Sequence, residues 1–335
     1  MSDTKMMPQE ISGFLFIGDP HVSSRRIGRR KDNYLESVLE KLATCAEIAN
    51  AGDLQAVITG DLFHRSDDSN LRMLNLLIRV LKKFSRTPVS LDGNHDRQCK
   101  ELDDSDAFSL LVNCGAIRQL DGHSLSASHQ FDINGVPVVL YGCSHGVELP
   151  DALPELPGGV NILVTHHDLA LGGSYPNAIP LKEIKNCPLV VNGHMHDTKK
   201  PEVVGETCFE NPGNIEPLSV DLMHHIPRAW LWVPEQGASL EGIELPHGTD
   251  LFDLTGIQVD ACDATSAVRD VTGVAEPRNS EFAMLLSEES DSDAQRTSDA
   301  SIFMEDLDAV LGNTGISDAT RELLKHLSAG LSSST

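Results

Sequence analysis

In the first hundred residues, short apolar runs alternate along the chain with longer stretches in which apolar residues recur at helical spacing. Residues 13–18 and 56–59 are short apolar runs of the kind that form buried strands. Between them, residues 31–50 place apolar side chains at helical spacing. Residues 71–84 repeat that helical pattern, and residues 88–91 form the next apolar run. This order is typical of βαβ units and predicts an α/β fold.

Shorter strands with tight turns are predicted after Gly115. Asn134-Gly135 separates two apolar runs, residues 131–133 and 136–141, and this dipeptide is a strong hairpin signal. Four more apolar runs are predicted strands: residues 161–165, 189–191, 207–209 and 229–233.

The apolar pattern weakens beyond Leu245. Residues 287–301 are rich in Ser, Asp and Glu and have almost nothing to bury, which predicts disorder. The predicted organisation is a flexible N-terminus (1–10), a catalytic domain (11–245) and an acidic, largely disordered tail (246–335). Residues 301–311 and 318–327 are amphipathic and could form helices that dock on a partner, although a solvated tail with transient helices is the favoured alternative.

The charge and cysteine content of the chain argue against several classes of protein. The chain carries 26 Lys and Arg against 50 Asp and Glu, a net charge of -24, which is untypical of a general nucleic-acid coat. Its seven cysteines are scattered and form no C-x-x-C pair, so neither a disulfide framework nor a zinc knuckle is indicated. We find no signal-like N-terminus and no apolar run near the ~20 residues that span a bilayer. We therefore expect a cytoplasmic protein without a membrane partner.

Metal-ligating residue types follow the first three predicted strands. Asp19 and His21 come after the first, Asp61 after the second, and Asn94 with His95 after the third. Ligand sites in open α/β sheets lie at the carboxyl ends of strands, so these side chains are expected to meet. Taken singly, each has an ordinary structural explanation, such as a solvated turn or a helix N-cap.

Two later strands lead into histidines. Residues 161–165 are followed by His166 and His167, either of which could be a ligand, and residues 189–191 lead to His194 and His196. Imidazole suits Zn, Mn or Fe. A carboxylate such as that of Asp61 can bridge two cations about 3.5 to 4 Å apart. His95 has the character of a general acid, for which Asp96 is a candidate orienting partner.

In order and spacing, the D-x-H, G-D, G-N-H-D, late H and G-H-x-H elements resemble those of the calcineurin-like metallophosphoesterase superfamily. The resemblance implies a sandwich of two mixed β-sheets flanked by helices, and metal-dependent hydrolysis of phosphate esters. It implies a first metal held by Asp19, His21, Asp61 and His196, and a second held by Asp61, Asn94, His166 and His194. His95 would protonate the leaving oxygen. His166 is preferred to His167 because it directly follows its strand.

The string from Gly60 to His64 is similar to that of the SbcD-type DNA repair nucleases, and this resemblance implies a DNA exo- or endonuclease in which His64 is a second functional histidine. Residues 210–214 also resemble a turn of that branch. SbcD-type chains continue into a DNA-capping region and a segment that binds an ATPase partner, whereas residues 246–335 here are short and acidic. An ATPase or another protein could still be a partner of this chain. The tail could instead bind a basic surface of another protein, or inhibit the enzyme.

A basic loop follows the first metal motif. Arg25, Arg26, Arg29 and Arg30, with Lys31, place five positive charges in seven positions, a pattern that predicts contacts with substrate phosphates. A solvated helix cap is the alternative. The predicted cofactors are two divalent ions, Mn first, with Fe or Zn as alternatives. A small-molecule phosphodiesterase or phosphatase, for example for cyclic nucleotides, and a catalytically silent scaffold remain as competing functions.

Overall fold

The computed structural model describes residues 9–125, 129–173 and 178–255. The first of these ranges forms β1 (Gln9–Ile11), β2 (Gly13–Ile17), α1 (Tyr34–Ala51), β3 (Leu54–Ile58), α2 (Leu71–Leu81), β4 (Val89–Ser90), α3 (Ala107–Asn113) and β5 (Arg118–Gln119). The other two ranges form β6 (His129–Ile133), β7 (Val136–Cys143), β8 (Val160–His166), β9 (Leu189–Gly193), β10 (Lys199–Val204), β11 (Thr207–Asn211), β12 (Arg228–Trp232) and β13 (Glu241–Glu244). The predicted disorder at 287–301 and the predicted helices at 301–311 and 318–327 lie outside the described residues.

The strands form two mixed sheets, as the resemblance implied. The first has seven strands in the order β1-β6-β7-β8-β9-β11-β10, and the second has six in the order β13-β12-β2-β3-β4-β5. In the first sheet, β7, β8, β9 and β11 are parallel neighbours. β6 pairs antiparallel with β7, and β10 pairs antiparallel with β11. In the second, β2 to β5 are parallel and β12 pairs antiparallel with β2. The predicted α/β sandwich is therefore confirmed.

The main apolar core lies between the two sheets. Phe14 of β2 packs edge-on against Phe131 of β6, with ring centroids 5.1 Å apart, and stacks on Trp232 of β12 at 5.8 Å. A second cluster, which includes Leu163 and Phe209, covers the other face of the seven-stranded sheet. Strands buried on both faces need continuous apolar runs, which explains why β2, β3 and β9 are conspicuous in the sequence.

Helices α1 and α2 contact each other, and α1 contacts β2 and β3. Asn33 caps α1, so this helix begins at Tyr34 rather than at residue 31. Asn70 caps α2 by accepting the N–H of Met73 at 3.0 Å. The sequence did not predict α3, β1, β5, β10 or β13, which are short or mostly polar.

The predicted domain boundaries stay predictions, and the structure places a strand near each of them. Residues 1–8 lie outside the described part of the chain, but Gln9 and Glu10 already form β1, which pairs with β6, so the predicted boundary after residue 10 falls inside a strand. At the other end, β13 stops at Glu244, next to the predicted end at Leu245. None of the described helices is both long enough and apolar enough to cross a lipid bilayer.

The described residues divide into two compact units. The larger contains both sheets and is formed by residues up to 26, 33–217 and 225–249. The smaller contains residues 27–32, 218–224 and the described residues from 250 onward. Within the smaller unit, Arg30 and Phe252 form a β-bridge, and the N–H of Lys31 donates to the carbonyl of Leu251 at 2.8 Å.

Candidate metal centre

The predicted ligands lie at the carboxyl ends of strands from both sheets. Asp19 and His21 follow β2, Asp61 follows β3, Asn94 follows β4, His166 ends β8, and His194 and His196 follow β9. All of these segments belong to the described part of the chain.

One group of ligand atoms is formed by His21, Asp61 and His196, which lie within 4.8 Å of one another. The Nε2 atoms of His21 and His196 are 2.9 Å apart, and His21 Nε2 is 3.5 Å from Asp61 Oδ2. These are three of the four residues predicted for the first metal.

A second group is formed by Asp61, His166 and His194. His166 Nε2 lies 3.1 Å from Asp61 Oδ2 and 3.1 Å from Asn94 Oδ1, and His194 Nδ1 lies 3.0 Å from the same Asn94 oxygen. The structure therefore brings together the four residues predicted for the second metal. Asp61 is common to both groups. His167 belongs to neither, and its Nε2 contacts the carbonyl of Val147 at 2.7 Å.

Asp19 lies beside these groups without belonging to either. Its Oδ1 accepts the hydroxyl of Thr59 at 3.0 Å and is 3.9 Å from His166 Nδ1. Its Oδ2 is buried and has no hydrogen-bond partner among the described residues. The ion-pair contact of Asp19 is thus with a member of the second group, although the prediction assigned Asp19 to the first metal.

The backbone around these residues is unusual. Asp19, His21, Asp61 and His194 have φ of 25°, 46°, 45° and 73°, a region that non-glycine residues seldom adopt and that is concentrated at functional sites. Gly93 is required by close approach, because a Cβ there would lie 2.0 Å from Asp61 Oδ1. The loops are therefore shaped by the packing of ligand side chains against one another.

The donor set fits divalent cations. Buried polar atoms normally have hydrogen-bond partners, yet within the described residues Asp19 Oδ2 has none, and Asp61 Oδ2 faces imidazole nitrogens of His166 at 3.1 Å and of His21 at 3.5 Å. A buried carboxylate oxygen without a partner is costly, and a bound cation would remove that cost. Imidazole nitrogens, carboxylates and one amide oxygen suit manganese, iron or zinc.

The charges of the group are strongly interdependent. Although burial opposes its ionisation, the pKa of Asp61 is held well below its usual value by His166, His95 and His21. Burial lowers the pKa of His166, but the Asp61 and Asp19 carboxylates outweigh it and raise that pKa to about 9. Burial lowers the pKa of His21 well below its usual value. The ionised Asp61 and the neutral His21 are in the state that binds cations, whereas His166 would have to release a proton when a cation binds.

His95 and His64 flank the group on the His21 side. The ring centroid of His95 is 4.9 Å from that of His21, and His64 and His95 stack at 5.5 Å. Ligand atoms of His21, His64 and His95 also lie within 4.8 Å of one another, so His95 could itself hold an ion. His95 Nδ1 is 2.8 Å from the carbonyl of His64.

Asp96 does not orient the His95 ring as predicted. Its buried carboxylate accepts the backbone N–H groups of Phe63, Gly93 and Leu62 at 2.8, 2.9 and 3.2 Å. Burial, with the nearby Asp61 charge, raises its pKa to about 8. Asp96 therefore joins the loops after β3 and β4, and the His64 carbonyl takes the place expected of it beside His95.

The four arginines of the basic loop differ in their exposure to solvent. Arg25 and Arg26 are exposed, as phosphate-binding side chains need to be. Arg29 is partly buried, and its Nη1 donates to the carbonyl of Thr255 at 2.9 Å. Arg30 is buried, pairs with Asp32 through two nitrogens, and lies 5.6 Å from the ring of Phe252. The prediction that Arg30 contacts substrate is therefore wrong, because its guanidinium is enclosed.

Several supporting residues were not predicted from the sequence. Buried Asn192 accepts from Thr165 Oγ1 at 2.7 Å and donates to the carbonyl of His167 and to Asn211 Oδ1, each at 2.9 Å. Asn211 in turn donates to the carbonyl of Met195 at 2.7 Å. This network ties the two histidine-bearing loops to β11. Its only sequence signal was that both asparagines directly adjoin motif residues.

His145 was also missed. It follows β7, is half-buried, and its ring centroid is 5.1 Å from that of His194. Burial, reinforced by the neighbouring His194, lowers its pKa to about 3. It stands alone in its loop, so no spacing pattern indicated it.

Comparison with solved structures gives distant likenesses. The chain is 11% identical to NAD nucleotidase of Haemophilus influenzae, with a TM-score of 0.40, over 70% of this chain and 49% of that one. It is 11% identical to a 5′-nucleotidase precursor of Thermus thermophilus, also at a TM-score of 0.40, over 72% and 54%. The chain thus spans about half the length of each. Likenesses at this level carry no argument about substrate, and the SbcD-type branch stays a prediction.

Comparison with curated proteins finds no match. A family model does match: that of the calcineurin-like phosphoesterases, over residues 13–198. This span is more than half of the chain and contains every predicted ligand. The chain therefore belongs to the calcineurin-like phosphoesterase family.

Proposed function

We propose that this protein is a two-metal phosphoesterase that hydrolyses phosphodiester bonds. The observation that carries the proposal is the position of Asp61 Oδ2, 3.5 Å from His21 Nε2 and 3.1 Å from His166 Nε2, where one carboxylate oxygen faces two groups of buried ligand atoms. The ligands would be Asp19, His21, Asp61 and His196 for one ion, and Asp61, Asn94, His166 and His194 for the other. Divalent cations at such a site neutralise phosphoester oxygens and lower the pKa of water.

His95 is proposed as the acid that protonates the leaving oxygen. Its Nδ1 lies 2.8 Å from the His64 carbonyl, which can only accept a hydrogen bond, so Nδ1 carries a proton, and in the imidazolium form Nε2 carries a second one. Nε2–H is then the proton that can be delivered. Proton donation of this kind typically contributes about 10²- to 10⁴-fold to the rate.

DNA is the first candidate substrate. Exposed Arg25 and Arg26 follow His21 closely in the chain and could contact the phosphates that flank the scissile bond. His64 is proposed as a second functional histidine near the phosphate. A small phosphodiester or phosphomonoester is the second candidate, favoured by the net charge of -24, which repels a polyanion.

A single set of assays separates these substrates. The purified protein with manganese is incubated with bis-p-nitrophenyl phosphate, p-nitrophenyl phosphate, and labelled single- and double-stranded DNA. Cleavage of the diester supports the proposal, and cleavage of DNA supports the nuclease. Cleavage of small esters alone rejects the nuclease, and no cleavage of any substrate favours the scaffold.

The role of the arginines has its own control. Replacing both Arg25 and Arg26 by Gln should weaken DNA cleavage, flatten its salt dependence and leave cleavage of the small diester unchanged. Replacing both Arg72 and Arg79 by Gln, at exposed positions on α2, provides the matched loss of two charges. Equal losses in both variants would show that only the overall charge matters.

A further inference from the structure

The turn after β7 carries a histidine that the proposed ligand set does not use. The ring centroid of His145 lies 5.1 Å from that of His194 and 6.3 Å from that of His167. His145 belongs to none of the three groups of described side chains that could hold an ion. Its ring therefore lies against the candidate centre but outside the set of ligands.

The turn that carries His145 is fixed by other loops at this end of the sheets. The N–H of Ser144 donates to the carbonyl of Gly122 at 3.0 Å, and its hydroxyl donates to buried Asp92 Oδ1 at 2.9 Å. The carbonyl of His145 accepts from Arg97 Nη2 at 2.6 Å. The loops after β4 and β5 thus hold this turn in place, so the imidazole is presented from an ordered backbone.

The ring itself makes no side-chain hydrogen bond within the described part of the chain. Other partly buried histidines do: His129 Nε2 contacts the carbonyl of Gln119 at 2.9 Å, and His225 Nε2 contacts that of Asn214 at 2.7 Å. Partly buried polar groups are usually paired, with protein or with another partner. An unengaged imidazole beside proposed metal ligands is thus available to a molecule bound there.

We propose that His145 donates a hydrogen bond to a phosphoryl oxygen of the substrate, on the flank of the centre beside His194. His64 and His95 occupy the flank beside His21, since their ring centroids are 5.6 and 4.9 Å from it. The inference rests on the proposed function, because it assigns a further contact to the same phosphoester. The ligand chemistry is an anionic phosphate oxygen.

Two variants separate hydrogen bonding from packing. His145→Phe keeps a planar ring against His194 but removes the donor, whereas His145→Gln restores one. His224→Phe, at an exposed histidine, is the matched control. The readouts are the affinity of the manganese-loaded protein for inorganic phosphate by calorimetry, kcat and KM for bis-p-nitrophenyl phosphate, manganese content and melting temperature.

A hydrogen bond to a charged oxygen predicts that His145→Phe weakens phosphate binding about 10- to 100-fold. Manganese content and melting temperature should stay as in the wild type, and His145→Gln should recover part of the affinity. Unchanged phosphate affinity in His145→Phe would overturn the inference, as would loss of manganese in both variants or a wild-type protein that does not bind phosphate. A wild type that binds phosphate but hydrolyses no ester would end the proposed function, and the affinities would still decide the role of His145.

Discussion

Replacement of His95 by Asn tests the division between acid and ligands. The ring contacts the His64 carbonyl, while it is the backbone N–H of His95 that donates to Asp61 Oδ1 at 2.9 Å. A side-chain replacement therefore keeps the contact that holds the shared carboxylate. The variant should bind manganese normally and lose about 10²- to 10⁴-fold in kcat, which corresponds to about 3 to 5 kcal/mol of transition-state stabilisation.

The leaving group makes this prediction sharper. An aryl leaving oxygen is stable without a proton, so bis-p-nitrophenyl phosphate should show the smaller loss, whereas an alkyl diester should show the larger one. The assay is kcat for both esters together with manganese content, with His224→Asn as the control at an exposed position. Equal losses for the two esters would refute proton donation by His95. Loss of manganese would make His95 a ligand, as its closeness to His21 and His64 allows.

Three further predictions concern the supporting structure. Lys41→Met should lower the free energy of unfolding by about 3 to 5 kcal/mol in chemical denaturation. Lys41 Nζ lies 2.7 Å from buried Glu216 Oε2, and the substitution removes the cation that balances this carboxylate. A change below about 1 kcal/mol would contradict the prediction. Burial raises the pKa of Glu210 from 4.5 to about 7, so the free energy of unfolding falls as pH rises between these values. Glu210→Gln should therefore raise the melting temperature more at pH 8 than at pH 5. An equal gain at both pH values would refute the pKa shift. Gly93→Ala should weaken manganese binding about 10- to 100-fold in a metal titration, because its Cβ would overlap Asp61 Oδ1, and unaltered affinity would show that the loop can yield.

The sequence predicted most of the proposed ligand positions because they follow strands that are visible as continuous apolar runs. Strands β2, β3, β8 and β9 are buried on both faces, and the loops at their carboxyl ends must converge. The residue types and their positions after strands were therefore sufficient to predict that residues from five segments lie near one another, although Asp19 lies beside the two groups rather than in either. The two-residue strands β4 and β5 and the polar strand β10 carry weak patterns, and only β4 was predicted.

What the sequence did not predict depends on contacts between distant segments. Asp96 binds backbone N–H groups of the loop after β3, and that choice of partner is set by how the two loops pack. Arg30 is enclosed by Asp32 and by Phe252, which lies far away along the chain. His145 reaches His194 only through the parallel order of β7, β8 and β9. The residues adjacent to each of them in the sequence do not indicate these long-range contacts.

In the proposed metal centre, two ions share the Asp61 carboxylate. Crystals of the protein soaked with manganese, measured near the manganese absorption edge, would give an anomalous difference map that tests it directly. We expect two peaks about 3.5 to 4 Å apart, one beside His21 and His196 and the other beside His166 and His194, with Asp61 between them. A single peak, or peaks away from Asp61, would rule out a pair of ions that share this carboxylate.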